Sequence, residues 1–141
     1  ILFSITQYIN KSKDSNIACN LAVLIPAGEV YYNGNGNSYA GFCDPTGNGS
    51  VLKNAIIQMP VNSNSNCPGN VAGVCCNVAS GGQAWAACAR KFTDDIKAYC
   101  VDSRGVKEDI CNYSCMISSL MQCPNPSTQT ECNMDPPGPP L

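Results

Sequence analysis

Cysteine is the residue type in this chain with the most chemistry to offer. Eleven cysteines occur in 141 residues, and there is no histidine. This density is typical of a disulfide-linked scaffold from an oxidising compartment. Because eleven is odd, at least one thiol is free or bonded to another chain. The absence of histidine removes the usual general base and the commonest metal ligand.

Other residues add few candidates for catalysis or metal binding. A serine or cysteine nucleophile needs a base, and the usual one is absent. The adjacent carboxylates Asp94 and Asp95 are typical of a solvated surface. Residues 33–37 lack the carboxylates that calcium prefers, and Cys111 with Cys115 binds a metal only when reduced. We therefore predict that the protein is not an enzyme and has no cofactor and no metal site.

One cysteine pattern resembles a known family. The doublet Cys75-Cys76 precedes six further cysteines, which include those at positions 88, 100, 111 and 123. A doublet followed by two disulfide-linked antiparallel helices is similar in outline to secreted phospholipase A2. In that family the doublet leads into a His-Asp pair that activates water. Here Asn77 and Val78 follow the doublet, so the resemblance implies a related scaffold without that activity.

The pattern of polar and apolar residues predicts one α+β domain over residues 1–123. Residues 1–78 are expected to be rich in strands, and the first strand places Ile1, Phe3, Ile5 and Ile9 on one face as an assembly strand. The Asn-Gly repeat at residues 33–37 predicts a turn, because Asn and Gly both tolerate positive φ. A last short strand is predicted over residues 71–78.

Residues 80–123 are predicted to form an antiparallel helical hairpin that packs on the strand-rich half. Apolar residues recur there at three- and four-residue intervals. Facing residues of two antiparallel helices have a constant sum of sequence numbers. The pairs Cys88 with Cys123 and Cys100 with Cys111 share one sum, so we predict that these two disulfides staple the hairpin.

The unpaired cysteine is expected near a terminus, at Cys19 or Cys132, where it bonds to a neighbouring chain. Residues 124–141 contain six prolines and predict an extended, polyproline-like tail. The chain contains no basic patch, which argues against a nucleic-acid partner. Its apolar runs are also too short for a transmembrane segment.

Charge is sparse and unevenly distributed. The net charge is −2, only 13% of residues are charged, and residues 15–89 carry three charged side chains. A soluble domain normally has a mixed-charge surface, so we expect sugars or another subunit to cover this half. Sequons at Asn10, Asn48 and Asn112 predict N-linked glycans. Ile1 in place of Met suggests a processed N-terminus, and with the cysteines it predicts a secreted or cell-surface protein.

These features predict a secreted, glycosylated structural subunit. It would polymerise into an extracellular filament or surface coat by exchanging its first strand and its tail with neighbouring copies. The alternative is a secreted monomeric ligand or effector, of a signalling, defence or toxin-like kind, that acts by binding. Direct imaging of the oligomeric state separates the two.

Overall fold

The computed structural model describes residues 2–47, 50–60, 67, 69–117, 119–129 and 132. Two helices precede a five-stranded sheet, and a short helix and a 3₁₀ turn at Pro126–Thr128 follow it. The mixed α+β class predicted from the sequence is therefore confirmed. In chain order the elements are α1 (Leu2–Gly34), α2 (Val51–Gln58), β1 (Asn70–Val71), β2 (Val74–Val78), β3 (Trp85–Arg90), β4 (Lys97–Asp102), β5 (Lys107–Cys111) and α3 (Asn112–Ile117).

The sheet is an antiparallel meander in which each strand pairs with the next along the chain. The strand predicted over residues 71–78 corresponds to β2, which carries the Cys75-Cys76 doublet. The turn predicted at residues 33–37 ends α1, and Gly36 and Asn37 have φ values of 64° and 58° there. The Asn-Gly signal was therefore a sound local prediction.

Helix α1 includes residues 2–9 of the predicted first strand, so that prediction is wrong. Ile5 and Ile9 lie one helical turn apart, and their spacing fits a helix as well as a strand. Farther along α1, Ile17, Leu21 and Leu24 are buried at four- and three-residue spacing on the side that faces the sheet. Packing of this second half selects the helix for the whole segment.

Pro26 lies inside α1 on its exposed side. It removes one backbone donor from the helix, which nevertheless continues to Gly34. Among the described residues, no helix is both long enough and apolar enough to cross a membrane.

The predicted helical hairpin over residues 80–123 is also wrong, because this segment forms β3, β4, β5 and α3. Trp85 and Ala87 on β3 pack towards α1, and Cys88 lies on the opposite face of the sheet. Both faces of β3 are covered, so its sequence shows no polar alternation. Such a strand cannot be distinguished from a buried helix by periodicity. The outline shared with phospholipase A2 is therefore absent too.

The sheet buries two chemically different faces. The first, which we call the helix-facing core, packs against α1 and α2 and contains Ile17, Leu21, Leu24, Phe42, Leu52, Val74, Trp85 and Val101. The second, which we call the cysteine face, contains Cys67, Cys75, Cys88, Ala98, Cys100, Ile110, Cys115 and Cys123. Helix α3 contacts β3, β4 and β5 on this side.

The connection between α1 and α2 is attached to both the helix and the sheet. The Tyr39 hydroxyl donates to Glu29 Oε1 at 2.8 Å, and the Tyr39 backbone N–H donates to the Gly82 carbonyl oxygen at 2.8 Å. Burial, together with the neighbouring Glu29 carboxylate, raises the pKa of Tyr39 to about 12. Tyr39 therefore remains a hydrogen-bond donor at neutral pH.

Candidate functional site

Three cysteines occupy adjacent positions on neighbouring strands of the cysteine face. Cys75 on β2 lies directly opposite Cys88 on β3, and Cys88 lies directly opposite Cys100 on β4. Each is bonded to a cysteine outside the sheet, in the pairs Cys67–Cys75, Cys88–Cys115 and Cys100–Cys123. The three disulfides therefore tie the covering segments to three consecutive strands.

Two further disulfides lie outside this row. Cys43–Cys76 joins the connection between α1 and α2 to the helix-facing side of β2. Cys111–Cys132 joins the end of β5 to the C-terminal segment. Because all eleven cysteines are described, these five bonds leave Cys19 as the free thiol, exposed on α1.

The structure corrects the predicted pairing of the four hairpin cysteines. All four are in disulfides, but Cys88 does not bond to Cys123, and Cys100 does not bond to Cys111. The constant-sum rule assumed that these residues face each other across two helices. In the sheet, Cys88 and Cys100 lie side by side, so both bond to the segment that covers them.

The prediction for the unpaired cysteine is half right. Cys19, which was one of the two candidates, is the free cysteine. Cys132 is bonded to Cys111 within the chain, so it is not available to a neighbouring copy. A bond from Cys19 to another chain stays a prediction.

The sulfur atoms of Cys75, Cys88 and Cys115 lie within 4.8 Å of one another. This spacing resembles that of a thiolate metal site, but every sulfur of the group is already in a disulfide. Metals bind the deprotonated thiol, so the oxidised group offers no such ligand. The geometry does allow thiol–disulfide exchange between the Cys67–Cys75 and Cys88–Cys115 disulfides.

A buried carboxylate positions the segment that covers the cysteine face. Asp102, at the end of β4, is fully buried. It accepts hydrogen bonds from Arg104 Nη2 at 2.6 Å and from the Cys123 backbone N–H at 2.8 Å. Arg104 Nη2 also donates to the Cys123 carbonyl oxygen at 2.9 Å. The ion pair is thus well hydrogen-bonded, and it holds Cys123 beside Cys100.

A cavity of about 540 Å³ opens beside this ion pair, and Arg104, Glu108, Gln122 and residues 124–126 line it. Burial raises the pKa of Glu108, and the nearby Asp102 charge adds to the effect. The described residues that line this cavity include no hydroxyl side chain and no free thiol. It therefore offers no hydroxyl or thiol nucleophile among these residues.

The paired carboxylates considered from the sequence lie in the turn between β3 and β4. Asp94 Oδ1 accepts a hydrogen bond from the Ile96 backbone N–H at 3.2 Å. Asp95 forms an ion pair with Arg90 at 3.5 Å, and its side chain is largely exposed. These contacts shape the turn.

The outward side of α1 carries an apolar stripe. Ile5, Ile9, Val23 and Val30 are 51%, 45%, 58% and 74% exposed. Helical spacing places these four residues, which we call the outer stripe, on one side of α1, and the free Cys19 lies among them. The predicted assembly residues Ile5 and Ile9 are thus exposed on a helix. Phe3 also lies in α1, and Ile1 lies outside the described residues.

Helix α1 meets the sheet region near Asp14. The Asp14 carboxylate accepts hydrogen bonds from the Phe92 backbone N–H at 2.6 Å and from both the backbone and the hydroxyl of Thr93. Lys13 Nζ lies 4.8 Å from the Phe92 ring centroid. Before this anchor, every side chain from Ser4 to Ile9 is exposed, so none of the described residues buries this part of α1.

The three predicted glycosylation sites differ in their surroundings. Asn10 lies on α1 and is partly exposed, and Asn48 lies outside the described residues. Asn112 is 8% exposed, and its amide donates to Met116 Sδ at 3.0 Å. Glycan attachment stays a prediction, and Asn112 would have to break this contact to carry one.

Comparison of the chain with protein-family models, with curated proteins and with solved structures found no match. Function is therefore inferred from the geometry of α1 and of the two buried faces.

Proposed function

We propose that this protein is a secreted structural subunit that polymerises into a thin, pilus-like extracellular filament. The observation that carries the proposal is the first part of α1, where side chains are exposed on every side of the helix. Residues 2–34 are helical, so the strand exchange predicted from the sequence is replaced by packing of α1 helices from neighbouring copies.

The first part of α1 is continuous with the packed half of the helix but is itself left exposed. Most helix stability in proteins comes from packing of an apolar face. The segment from Ser4 to Ser12 would extend roughly 13 Å at 1.5 Å per residue. It exposes Ile5, Tyr8 and Ile9, and Tyr8 is 75% exposed. Neighbouring copies of α1 would bury these side chains.

The outer stripe resumes farther along α1, beyond the exposed polar residues Ser12 and Asn16. Val23 and Val30 are exposed on the side of α1 opposite the buried Leu21 and Leu24. No charged residue belongs to the outer stripe, so identical copies can approach without like-charge repulsion. Contacts between different surfaces of successive copies build an open fibre when the rotation between copies does not close into a ring.

The rest of the molecule suits a subunit exposed outside the cell. Five disulfides are compatible with an oxidising compartment and resist unfolding there. The Asp14 contacts with Phe92 and Thr93 hold α1 to the sheet. A force applied to the helix would therefore be transmitted to the disulfide-bonded domain.

Electron microscopy of native material tests the proposal directly. We expect filaments in negative stain, and a concentration-dependent series of oligomers in sedimentation velocity. A sharp monomer at every concentration would contradict the proposal and favour the secreted ligand or effector.

Substitutions then test the role of α1. We expect the double variant Ile5→Glu with Ile9→Glu to lose assembly, because it places carboxylates in the apolar contact, while glutamate remains a good helix former. Ile57→Glu is the matched control, because Ile57 is 70% exposed on α2. Both variants should keep the wild-type thermal midpoint, and equal assembly by both would refute helix packing through Ile5 and Ile9.

A further inference from the structure

Two disulfides of the cysteine face lie in contact with each other. The sulfur atoms of Cys75, Cys88 and Cys115 are within 4.8 Å, and Cys75 is bonded to Cys67 while Cys88 is bonded to Cys115. All four cysteines are buried. A thiolate released at Cys75 would therefore have a second disulfide within reach before it met solvent.

We propose that these two bonds form a thiol-exchange site whose co-substrate is a small thiol, such as glutathione. The thiol opens Cys67–Cys75, and the protein responds by forming a cross-strand Cys75–Cys88 disulfide. Cys115 is thereby reduced to a free thiol, with the electrons supplied by the small thiol. This site is separate from the surface of α1 and does not depend on assembly.

The exchange takes place in three steps. A thiolate attacks Cys67 Sγ, which gives a mixed disulfide at Cys67 and a thiolate at Cys75. Cys75 Sγ then attacks Cys88 Sγ; the Cys75–Cys88 bond forms, the Cys88–Cys115 bond breaks, and Cys115 leaves as a thiolate and takes a proton. A second small thiol removes the adduct from Cys67. Two small thiols become one small disulfide, and the protein loses one disulfide.

The strand register permits the new bond. Cys75 and Cys88 are directly opposite on antiparallel strands. Residues in that relation have Cα atoms about 4.5 or 5.5 Å apart, and disulfides span about 4.4–6.8 Å. The sheet therefore holds both residues in place for a bond that needs no backbone shift.

Attack begins at Cys67 for two reasons. Cys67 is 6% exposed, against 1% for Cys88 and 2% for Cys115. The Cys67–Cys75 bond also spans only 8 residues, whereas Cys88–Cys115 spans 27. A short closed loop constrains the unfolded chain less, so opening it costs less stability.

Limited reduction of the folded protein tests the site. The Cys19→Ser variant is used, so that the exposed thiol cannot start exchange. It is treated with glutathione, quenched with acid, alkylated and digested without reduction for mass spectrometry. Among the species that lack one disulfide and keep the Cys43–Cys76, Cys100–Cys123 and Cys111–Cys132 bonds, we expect label on Cys67 and Cys115 and a linked Cys75–Cys88 peptide. Label on Cys67 with Cys75, label on Cys88 with Cys115, or a Cys75–Cys115 link would overturn the proposal.

A variant removes the need for a reductant. In the Cys19→Ser background, Cys67→Ser leaves Cys75 without its partner, and we expect the single free thiol to move from Cys75 to Cys115. Cys132→Ser is the matched control. It frees Cys111, whose cross-strand neighbour is Lys97 rather than a cysteine, so label should stay on Cys111. A Cys67→Ser protein with its label on Cys75 would refute the exchange.

Discussion

The two faces of the sheet are buried by different means. The helix-facing core is filled by large side chains such as Leu21, Leu24 and Trp85, all fully buried. The cysteine face has few large apolar side chains and is crossed by three disulfides. A regular helix presents a continuous apolar face, whereas a short helix and irregular chain do not. Covalent bonds replace apolar contact where the covering segment is irregular.

Both faces also bury polar groups. On the cysteine side, Asp102 accepts hydrogen bonds from Arg104 and from the Cys123 backbone, whereas the Glu108 Oε1 atom is buried without a hydrogen-bond partner among the described residues. In the helix-facing core, the Trp85 Nε1 atom is likewise buried without a partner within the described part of the chain. Gly28 lets α1 approach the Trp85 ring closely, because a Cβ there would lie 2.9 Å from Trp85 Nε1. The two faces therefore differ in how they are packed and covalently linked, and not in whether they contain an unpaired polar atom.

The largest effect is expected from Trp85, at the centre of the helix-facing core. Trp85→Ala should lower the free energy of unfolding by about 3–5 kcal/mol, because it removes a fully buried ring and leaves a cavity. Guanidinium denaturation of the oxidised protein measures this. Trp85→Phe is the control: it keeps a ring and removes the unpartnered N–H, so its loss should be much smaller. If Trp85→Ala lowered the free energy of unfolding only as much as a typical surface substitution does, the contribution assigned to this core would be contradicted.

The next effect tests the cysteine face. Replacing Cys100 and Cys123 together by alanine should cost roughly 2–4 kcal/mol of unfolding free energy, because the unfolded chain gains entropy. The matched control replaces Cys111 and Cys132. The two bonds span 23 and 21 residues, so their entropic contributions are nearly equal. We expect a larger loss of unfolding free energy for the first pair, because both of its sulfurs are buried within the cysteine face. Equal losses would show that burial in the cysteine face adds nothing to the entropic contribution of the bond.

The smallest effect tests the fit between α1 and the sheet. Gly28→Ala should destabilise the protein by about 1 kcal/mol, because overpacking against Trp85 exceeds the gain in helix propensity. Gly34→Ala is the control, since no atom lies within 4 Å of a Cβ built there. Thermal denaturation of the two variants should shift the midpoint down for Gly28→Ala only. Equal shifts would show that the contact with Trp85 has no role.

Some features could be predicted because they depend on composition or on local conformation. The odd number of cysteines required a free or intermolecular thiol, and Cys19 was one of two candidates. The Asn-Gly repeat predicted the turn at residues 33–37 from its tolerance of positive φ. The Cys75-Cys76 strand was predicted at nearly the right place. In each case, neighbouring residues were sufficient.

The first-strand error arose because the spacing of Ile5 and Ile9 fits both a helix and a strand. The errors in residues 80–123 share another physical cause, which is burial from two sides. β3 is covered on both faces, so its apolar run lost the alternation that identifies a strand, and residues 80–123 were predicted as helices. The disulfide pairs then followed the wrong geometry. In the site, Cys88 and Cys100 could be named as bonded cysteines, but their partners depend on which segment covers the sheet.

By itself, the sequence determined the mixed class, the disulfide-rich chemistry and the sparse charge of this protein. The tertiary structure alone decided that α1 is a helix with an exposed first part, and that three disulfides cross one face of the sheet. The physical reason is the distance along the sequence over which each feature is decided. Composition and turns depend on residues close in sequence, whereas helix-to-sheet packing and disulfide partners depend on contacts between distant segments, which compete for the same surfaces.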